Sequence, residues 1–108
     1  MKRETNRENT RGLAEEANLE SELKEPSLYQ VLMHNDDFTP KEFVVGLLEK
    51  LFYMERRKAT EVMQEAQVKG RAGCGWFARD FAEAKIAQAM DYARIHEHPL
   101  ALSMETAR

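Results

Sequence analysis

Residues 34–40, HNDDFTP, place three acceptor-rich side chains, Asn35, Asp36 and Asp37, between an apolar run and a helix start. Asn and Asp are common in turns, so a turn alone would explain them. Adjacent carboxylates, however, repel each other unless a positive group or backbone donors compensate them. Two carboxylates and an amide carbonyl could accept all three N–H donors of an ammonium. The trio therefore predicts either a turn or a site for a lysine or a peptide amino terminus.

The other residues that could do chemistry are the single cysteine and the histidines. Cys74 lies between two glycines, and no pattern fixes a base with its orienting partner, so we interpret it as a small strand residue. His96 and His98 could ligate a metal together with Asp36 and Asp37, but histidines at a helix end also interact favourably with the helix dipole. We expect no catalysis, no metal and no cofactor.

The composition limits the classes of function. A chain of 108 residues has room for one modest core, and 43% hydrophobic with 32% charged residues is typical of a soluble globular domain. A net charge of -3 argues against nucleic-acid binding. No apolar run approaches the roughly 20 residues that span a bilayer, and the first residues lack the apolar segment of a signal peptide. We expect a cytoplasmic monomer without membrane or nucleic-acid partners.

The chain changes character near Pro26. Residues 1–25 are rich in Glu, Lys, Arg and Asn, with only sparse leucines at Leu13, Leu19 and Leu23. Such a segment buries too little apolar surface to offset its ordering entropy. We predict a flexible tail over residues 1–25, with a transient helix around residues 13–23, and a folded domain over residues 26–108.

The first half of the domain shows a strand and then a helix. SLYQVLMH, residues 27–34, is short, apolar and partly β-branched or aromatic, which predicts a strand. TPKEFVVGLLEKLF, residues 39–52, has helical spacing of its apolar residues. Thr39 as cap, Pro40 at the first helical position and Glu42 three residues after the cap together predict a capping box.

The second half adds two helices and two strands. A helix is predicted over residues 55–69, with Gly70 as its stop, and RAGCGWF is an ambiguous strand whose glycines suggest a bulge. The third helix starts at residue 79, and Pro99 and the strand PLALSM follow it. The third helix is predicted to face inward through Ile86, Ala89, Met90 and Ala93. The order predicts an α+β fold in which three helices cover one side of a three-stranded antiparallel sheet.

Four segments, read together, resemble the ClpS family, the bacterial adaptors that deliver N-degron substrates to the ClpA unfoldase of the ClpAP protease. They are PSLYQVLMHNDDFTPKEFVVGLLEKLF, KATEVM, GRAGCGWFARDFAEAKIAQA and EHPLALSME. The likeness covers residues 26 to about 105 in the same order, and NDD-F-TP with the later CG and EHPL forms a specific combination. In the family, the tail before the domain takes part in engaging the unfoldase.

The resemblance implies a small pocket between the strand-to-helix turn and the second helix. In the family this pocket takes a bulky apolar first residue and grips its free α-amino group. The matching positions for the amino group are Asn35 and Asp36, with Asp37 beside them, and those for the wall are Thr39, Val44 and Met63. The resemblance also implies contact with the N-terminal domain of the unfoldase through the third helix, at Asp80, Glu83 and Lys85.

Four positions depart from the family pattern, and all match the pocket. Gln67 stands where the family has a histidine that helps hold the α-amino group. Lys41 stands where the family has a methionine at the mouth of the pocket, and its charge could repel an incoming ammonium. Ala66 stands where the family has a valine, and Ala101 matches a leucine on the floor of the family's pocket. Each replacement costs about 0.8 kcal/mol for every buried methylene that is lost. We therefore predict an adaptor with altered size preference or weaker affinity. The alternative is a modulator that docks on the unfoldase but has lost N-degron recognition.

Overall fold

The computed structural model describes residues 27–106. The predicted tail over residues 1–25, with its transient helix, lies outside the described residues. Within them the elements follow in the order β1 (Leu28–His34), α1 (Lys41–Leu51), α2 (Arg56–Lys69), β2 (Arg71–Ala78), α3 (Arg79–Ile95) and β3 (Ala101–Thr106). The predicted α+β class and element order are confirmed.

The three strands form one antiparallel sheet with β1 in the middle, in the order β2–β1–β3. Tyr29 lies opposite Phe77 on β2 and Thr106 on β3, and His34 lies opposite Arg71 and Ala101 at the other end. β1 pairs with a strand on each side. Its last residues therefore reach the site from a strand that is held along its whole length.

The core lies between one face of the sheet and the three helices. Val31 and Met33 are almost completely buried and belong to one cluster with residues of all three helices. The helical members of that cluster are Val44, Val45, Leu47, Leu48, Ala59, Val62, Ala66, Ala82, Ala89 and Ala93. Small alanines on α2 allow its close approach to α1 and β2, and those on α3 allow its close approach to the sheet. The prediction for α3 holds at Ala89 and Ala93, but Met90 is 39% exposed and does not face inward.

The bulge suggested by the glycines of β2 is present. The register between β1 and β2 shifts between Val31 and Leu32, so that Gly75 lies opposite Val31 and Gly73 opposite Leu32, with Cys74 as the extra residue. Gly75 has φ 141°, and a Cβ at this position would lie 2.8 Å from Cζ of Phe77. Glycine is therefore required at the bulge by both conformation and space.

The start of α1 differs from the predicted capping box. The N-cap is Pro40, whose carbonyl accepts a hydrogen bond from the Val44 N–H at 3.1 Å, and no side chain caps the helix. The Thr39 hydroxyl donates instead to Oδ2 of Asp36, at 2.8 Å. The prediction of Thr39 as cap is wrong because α1 begins one residue later than predicted, at Lys41, which makes Pro40 the N-cap and leaves Thr39 outside the helix.

Candidate functional site

The end of β1, the start of α1 and the body of α2 enclose a cavity of about 190 Å³. Twelve residues line it: Met33, His34, Asn35, Asp36, Asp37, Thr39, Lys41, Val44, Met63, Ala66, Gln67 and Leu100. Acidic and amide groups lie on the side of the β1–α1 turn, and apolar side chains come from the core. The cavity therefore combines an apolar interior with a polar rim, as ligand sites commonly do.

Asp36 organises the turn before α1 through both oxygens of its carboxylate. Oδ1 accepts hydrogen bonds from the backbone N–H groups of Phe38, at 2.7 Å, and Thr39, at 2.8 Å. Oδ2 accepts the bond from the Thr39 hydroxyl. A carboxylate offers about four acceptor positions, so these bonds use three of them. Two of the three are on Oδ1 and one is on Oδ2, so the position that the turn does not use is on Oδ2.

The same contacts keep Asp36 ionised. Burial of the carboxyl group by itself raises its pKa, but the hydrogen bonds from Phe38 and Thr39 and the charge of nearby His98 outweigh that effect. The pKa of Asp36 therefore lies below its ordinary value of 3.8. An ionised carboxylate at the rim of the cavity is suited to a cationic group.

The two sides of the cavity are connected by main-chain hydrogen bonds. The Asn35 N–H donates to the carbonyl of Gly70 at 2.9 Å, and the Gly70 N–H donates to the carbonyl of Ala66 at 2.8 Å. Gly70 has φ 91° and is the left-handed C-cap that the sequence predicts for α2. Gln67, one residue after Ala66, lines the cavity from α2, while Asn35 and Asp36 line it from the β1–α1 turn.

Nine of the ten residues that the resemblance assigns to the pocket line this cavity. Ala101 does not: it is exposed and lies in a separate shallow groove beside α3. Leu100, which is 5% exposed, lines the cavity instead. Leu100, the residue directly before Ala101, therefore takes the place at the cavity that was predicted for Ala101.

Sequence reasoning missed three residues that line the cavity: Met33, His34 and Leu100. Met33 could have been found because it is the last core-facing residue of β1, directly before the polar turn. Leu100 could have been found because a leucine that follows the proline of a helix stop is a common way to re-enter the core. His34 carries no such signal, and its ring lies against Ser103, with Nε2 at 2.7 Å from Oγ.

The three residues expected to contact an unfoldase lie on α3, and none of them lines the cavity. Asp80 and Glu83 are exposed, and Oε2 of Glu83 accepts a hydrogen bond from Nε of Arg79 at 3.2 Å. Lys85 is different, because only 8% of the residue is exposed. Its ammonium lies 4.8 Å from the ring centroid of Tyr53.

Cys74, the residue considered as a nucleophile, is buried in the core. Burial raises the pKa of the Cys74 thiol to about 12, so the thiolate is nearly absent at neutral pH. Within residues 27–106, no group of three His, Cys, Asp or Glu side chains is arranged to hold a metal ion. None of the helices in that range is both long and apolar enough for a membrane span.

The chain is similar to known proteins over most of its length. The family model described as "ATP-dependent Clp protease adaptor protein ClpS" matches residues 24–103. The adapter protein ClpS of Xanthomonas campestris is 42% identical over 107 residues, 99% of this chain and 100% of that protein. ClpS of Xylella fastidiosa is 46% identical over 82 residues, 76% of this chain and 77% of that protein.

A solved structure is also similar. The structure of Agrobacterium tumefaciens ClpS2 bound to L-phenylalaninamide matches with a TM-score of 0.74 and 36% sequence identity. The match covers 76% of this chain and 99% of that one. The fold, the family model and the full-length relatives agree, and the chain belongs to the ClpS family of adaptor proteins of the ATP-dependent Clp protease.

Proposed function

We propose that this adaptor binds proteins through a bulky apolar N-terminal residue and its free α-amino group, and delivers them to the ClpA unfoldase of the ClpAP protease. The observation that carries the proposal is the cavity, with an apolar interior and an ionised carboxylate at its rim. The similar Agrobacterium ClpS2 structure supports it, because L-phenylalaninamide has both a free α-amino group and an aromatic side chain.

The amino group has a specific set of acceptors in this proposal. Oδ2 of Asp36 would accept one N–H in the acceptor position that the turn leaves over. The amide carbonyls of Asn35 and Gln67, on opposite sides of the cavity, would accept the other two. Asp37, which also lines the cavity, would add negative charge. The side chain of the first residue would enter among Thr39, Val44, Met63, Ala66 and Leu100.

Lys41 and Gln67 would modify the affinity. Lys41 is exposed at the start of α1, and its charge at the cavity rim opposes an incoming ammonium. A glutamine at position 67 loses more rotamer entropy than a histidine ring would when its acceptor atom is held in one position. Ala66 leaves space that a larger side chain would fill. We infer weaker binding, or a preference for larger first residues, relative to a site with histidine and valine at these positions.

The experiment is fluorescence anisotropy with labelled peptides that begin with Leu, Phe, Trp or Ala, each with a free or an acetylated amino terminus. We expect binding of the bulky residues in the free form alone. Asp36→Asn keeps an acceptor for the Phe38 and Thr39 N–H groups while removing the charge, and Glu61→Gln on the exposed side of α2 is the matched control. Equal affinity for free and acetylated peptides would refute recognition of the amino group.

The second candidate is a modulator that docks on the unfoldase without selecting N-degrons, and the presence of Lys41 and Gln67 at the cavity favours it. Titration calorimetry separates the two functions. Binding of the ClpA N-terminal domain together with no binding of any N-degron peptide supports the modulator.

We further propose that the protein is a cytoplasmic monomer without catalytic activity. A dimer mass in light scattering at micromolar concentration would contradict the monomer.

A further inference from the structure

The rim of the cavity carries a lysine without an ion-pair partner among residues 27–106. Lys41 is the first residue of α1, lines the cavity and is exposed. The ion pairs within the described range all join other residues. A cation in the first turn of a helix also opposes the helix dipole, whose positive end lies there. The Lys41 ammonium is therefore stabilised neither by the dipole of α1 nor by an ion pair within this range.

The chain of a bound substrate has to leave the cavity on its exposed side. Four of the lining residues are exposed: Asn35, Asp37, Lys41 and Gln67. In the proposed function Asn35 and Gln67 accept hydrogen bonds from the α-amino group, together with Asp36. The part of the rim that remains for the second residue of the substrate is therefore the part formed by Asp37 and Lys41.

Lys41 and Asp36 are separate charged groups of the rim. The hydrogen bonds that the Asp36 carboxylate accepts within residues 27–106 come from Phe38 and Thr39, so Lys41 donates to neither of its oxygens. The charge that helps to lower the pKa of Asp36 is that of His98, and Lys41 is not among the groups that shift it. The site for the α-amino group and the Lys41 ammonium therefore face different parts of a bound substrate.

We propose that Lys41 selects N-degron substrates whose second residue is Asp or Glu. The inference rests on the proposed function and names a narrower class of substrate for the same cavity. A carboxylate on the second residue pairs with the Lys41 ammonium and offsets the repulsion between that ammonium and the substrate's own α-amino group. Asp37 faces the α-amino group in the proposed function, so that cation offsets the repulsion between Asp37 and an acidic second residue.

The test is fluorescence anisotropy of the full-length chain with three labelled peptides that begin Phe-Glu, Phe-Gln or Phe-Lys and are otherwise identical. We expect the Phe-Glu peptide to bind most tightly and the Phe-Lys peptide most weakly, with about twofold to fivefold between successive peptides, as is usual for exposed charge pairs. The differences should nearly vanish at roughly 1 M salt, where screening acts over about 3 Å.

Three variants separate the charge of Lys41 from other effects. Lys41→Met removes the charge while keeping an unbranched side chain, and it should abolish the preference for Phe-Glu over Phe-Lys. Lys41→Glu should reverse the preference, and it should be at least as stable as the wild type in thermal denaturation, because a carboxylate suits the first turn of a helix. Lys58→Met, at an exposed position of α2 outside the cavity, is the matched control and should keep the wild-type order.

The failure of this inference differs from the failure of the proposed function. Equal affinity of the wild type for the three peptides, or an order that Lys41→Met retains, would overturn the role of Lys41 while recognition of the first residue stands. If the wild type binds none of the three peptides, N-degron recognition itself is overturned, and the selection by Lys41 with it.

Discussion

Asp36 and Thr39 are joined by two hydrogen bonds, one from the Thr39 backbone N–H to Oδ1 and one from the Thr39 hydroxyl to Oδ2, each 2.8 Å long. The threonine thereby fixes the carboxylate at the rim of the cavity. It does so from the residue directly before the N-cap of α1, so the orientation of the carboxylate is tied to the start of that helix. A change at Thr39 should therefore act on the site and on the turn together.

Thr39→Val is expected to destabilise the domain by about 1 kcal/mol, because one side-chain hydrogen bond is lost at a partly buried position. It should also raise the pKa of Asp36 and weaken binding of a peptide that begins with Phe. Urea denaturation and anisotropy measure the two effects. Thr39→Ser keeps the hydroxyl and serves as the control; if it loses as much stability as Thr39→Val, the hydrogen bond is not the cause.

The stability of the domain should fall at acid pH through Asp36. Its folded pKa lies below the ordinary value of 3.8, so the unfolded chain binds the proton more tightly. The stabilisation by Asp36 is therefore present above the ordinary pKa and is lost as the pH falls below 3.8 through the folded pKa. Urea midpoints of wild type and Asp36→Asn should differ at pH 6 and converge towards pH 2. A constant difference across this range would contradict the expectation.

Much of this arrangement could be predicted from local sequence. Gly70 signals the end of α2, and the glycines around Cys74 signal a bulge, because few other residues tolerate these backbone conformations. The position of Thr39 could not be predicted, since TP before a helix fits a start at either Pro40 or Lys41, and a shift of one residue moves Thr39 out of the N-cap position. Helical periodicity likewise marks Met90 as apolar but does not show that α3 turns it outward, where it is 39% exposed.

The cavity itself was predictable through resemblance more than through chemistry. Composition leaves the Asn35–Asp36 pair as a turn or a cation site. The structure shows the turn, and the turn uses three acceptor positions of the carboxylate, so it is compatible with the proposed cation site. Distant residues join the site only through tertiary packing. This explains why the sequence pointed to Ala101 where the structure has Leu100 at the cavity. It also explains why the contact between the Lys85 ammonium and the Tyr53 ring, which lies outside α3, was not predicted.

Cys74 should be unreactive in the folded protein. Because burial raises the pKa of its thiol to about 12, little thiolate exists at pH 8, and a thiol reagent should modify it slowly in buffer and quickly in urea. The unfolded thiol ionises near 9.0, so the stabilisation that depends on the protonated thiol is intact below that pH and is lost as the pH rises towards about 12. Cys74→Ala should lack this dependence. Rapid modification of the native protein would contradict the burial argument and reopen the nucleophile hypothesis.

Gly46 and Gly75 should respond to alanine in opposite ways. A Cβ at Gly46, inside α1, meets no atom within 4 Å, so Gly46→Ala should stabilise the domain by about 0.5–1 kcal/mol through helix propensity. Gly75→Ala places a methyl group 2.8 Å from Phe77 at φ 141° and should destabilise it. Thermal denaturation of the two variants tests the pair. If Gly46→Ala lowers the melting temperature, the space around α1 is smaller than the structure indicates.

Gln67→His should tighten binding of a Phe-starting peptide. In the proposed function residue 67 accepts from the amino group, and an imidazole gives up roughly 0.5–1 kcal/mol less rotamer entropy than the glutamine side chain. That difference corresponds to a gain of about twofold to fivefold. Only the neutral imidazole accepts from an ammonium, so the gain should be present at pH 8 and disappear below about pH 6. Gln64→His, on the exposed side of α2 and outside the cavity, is the matched control and should change nothing. An equal gain for acetylated peptide, or one that persists at pH 5.5, would show that residue 67 acts through apolar contact and takes no part in holding the amino group.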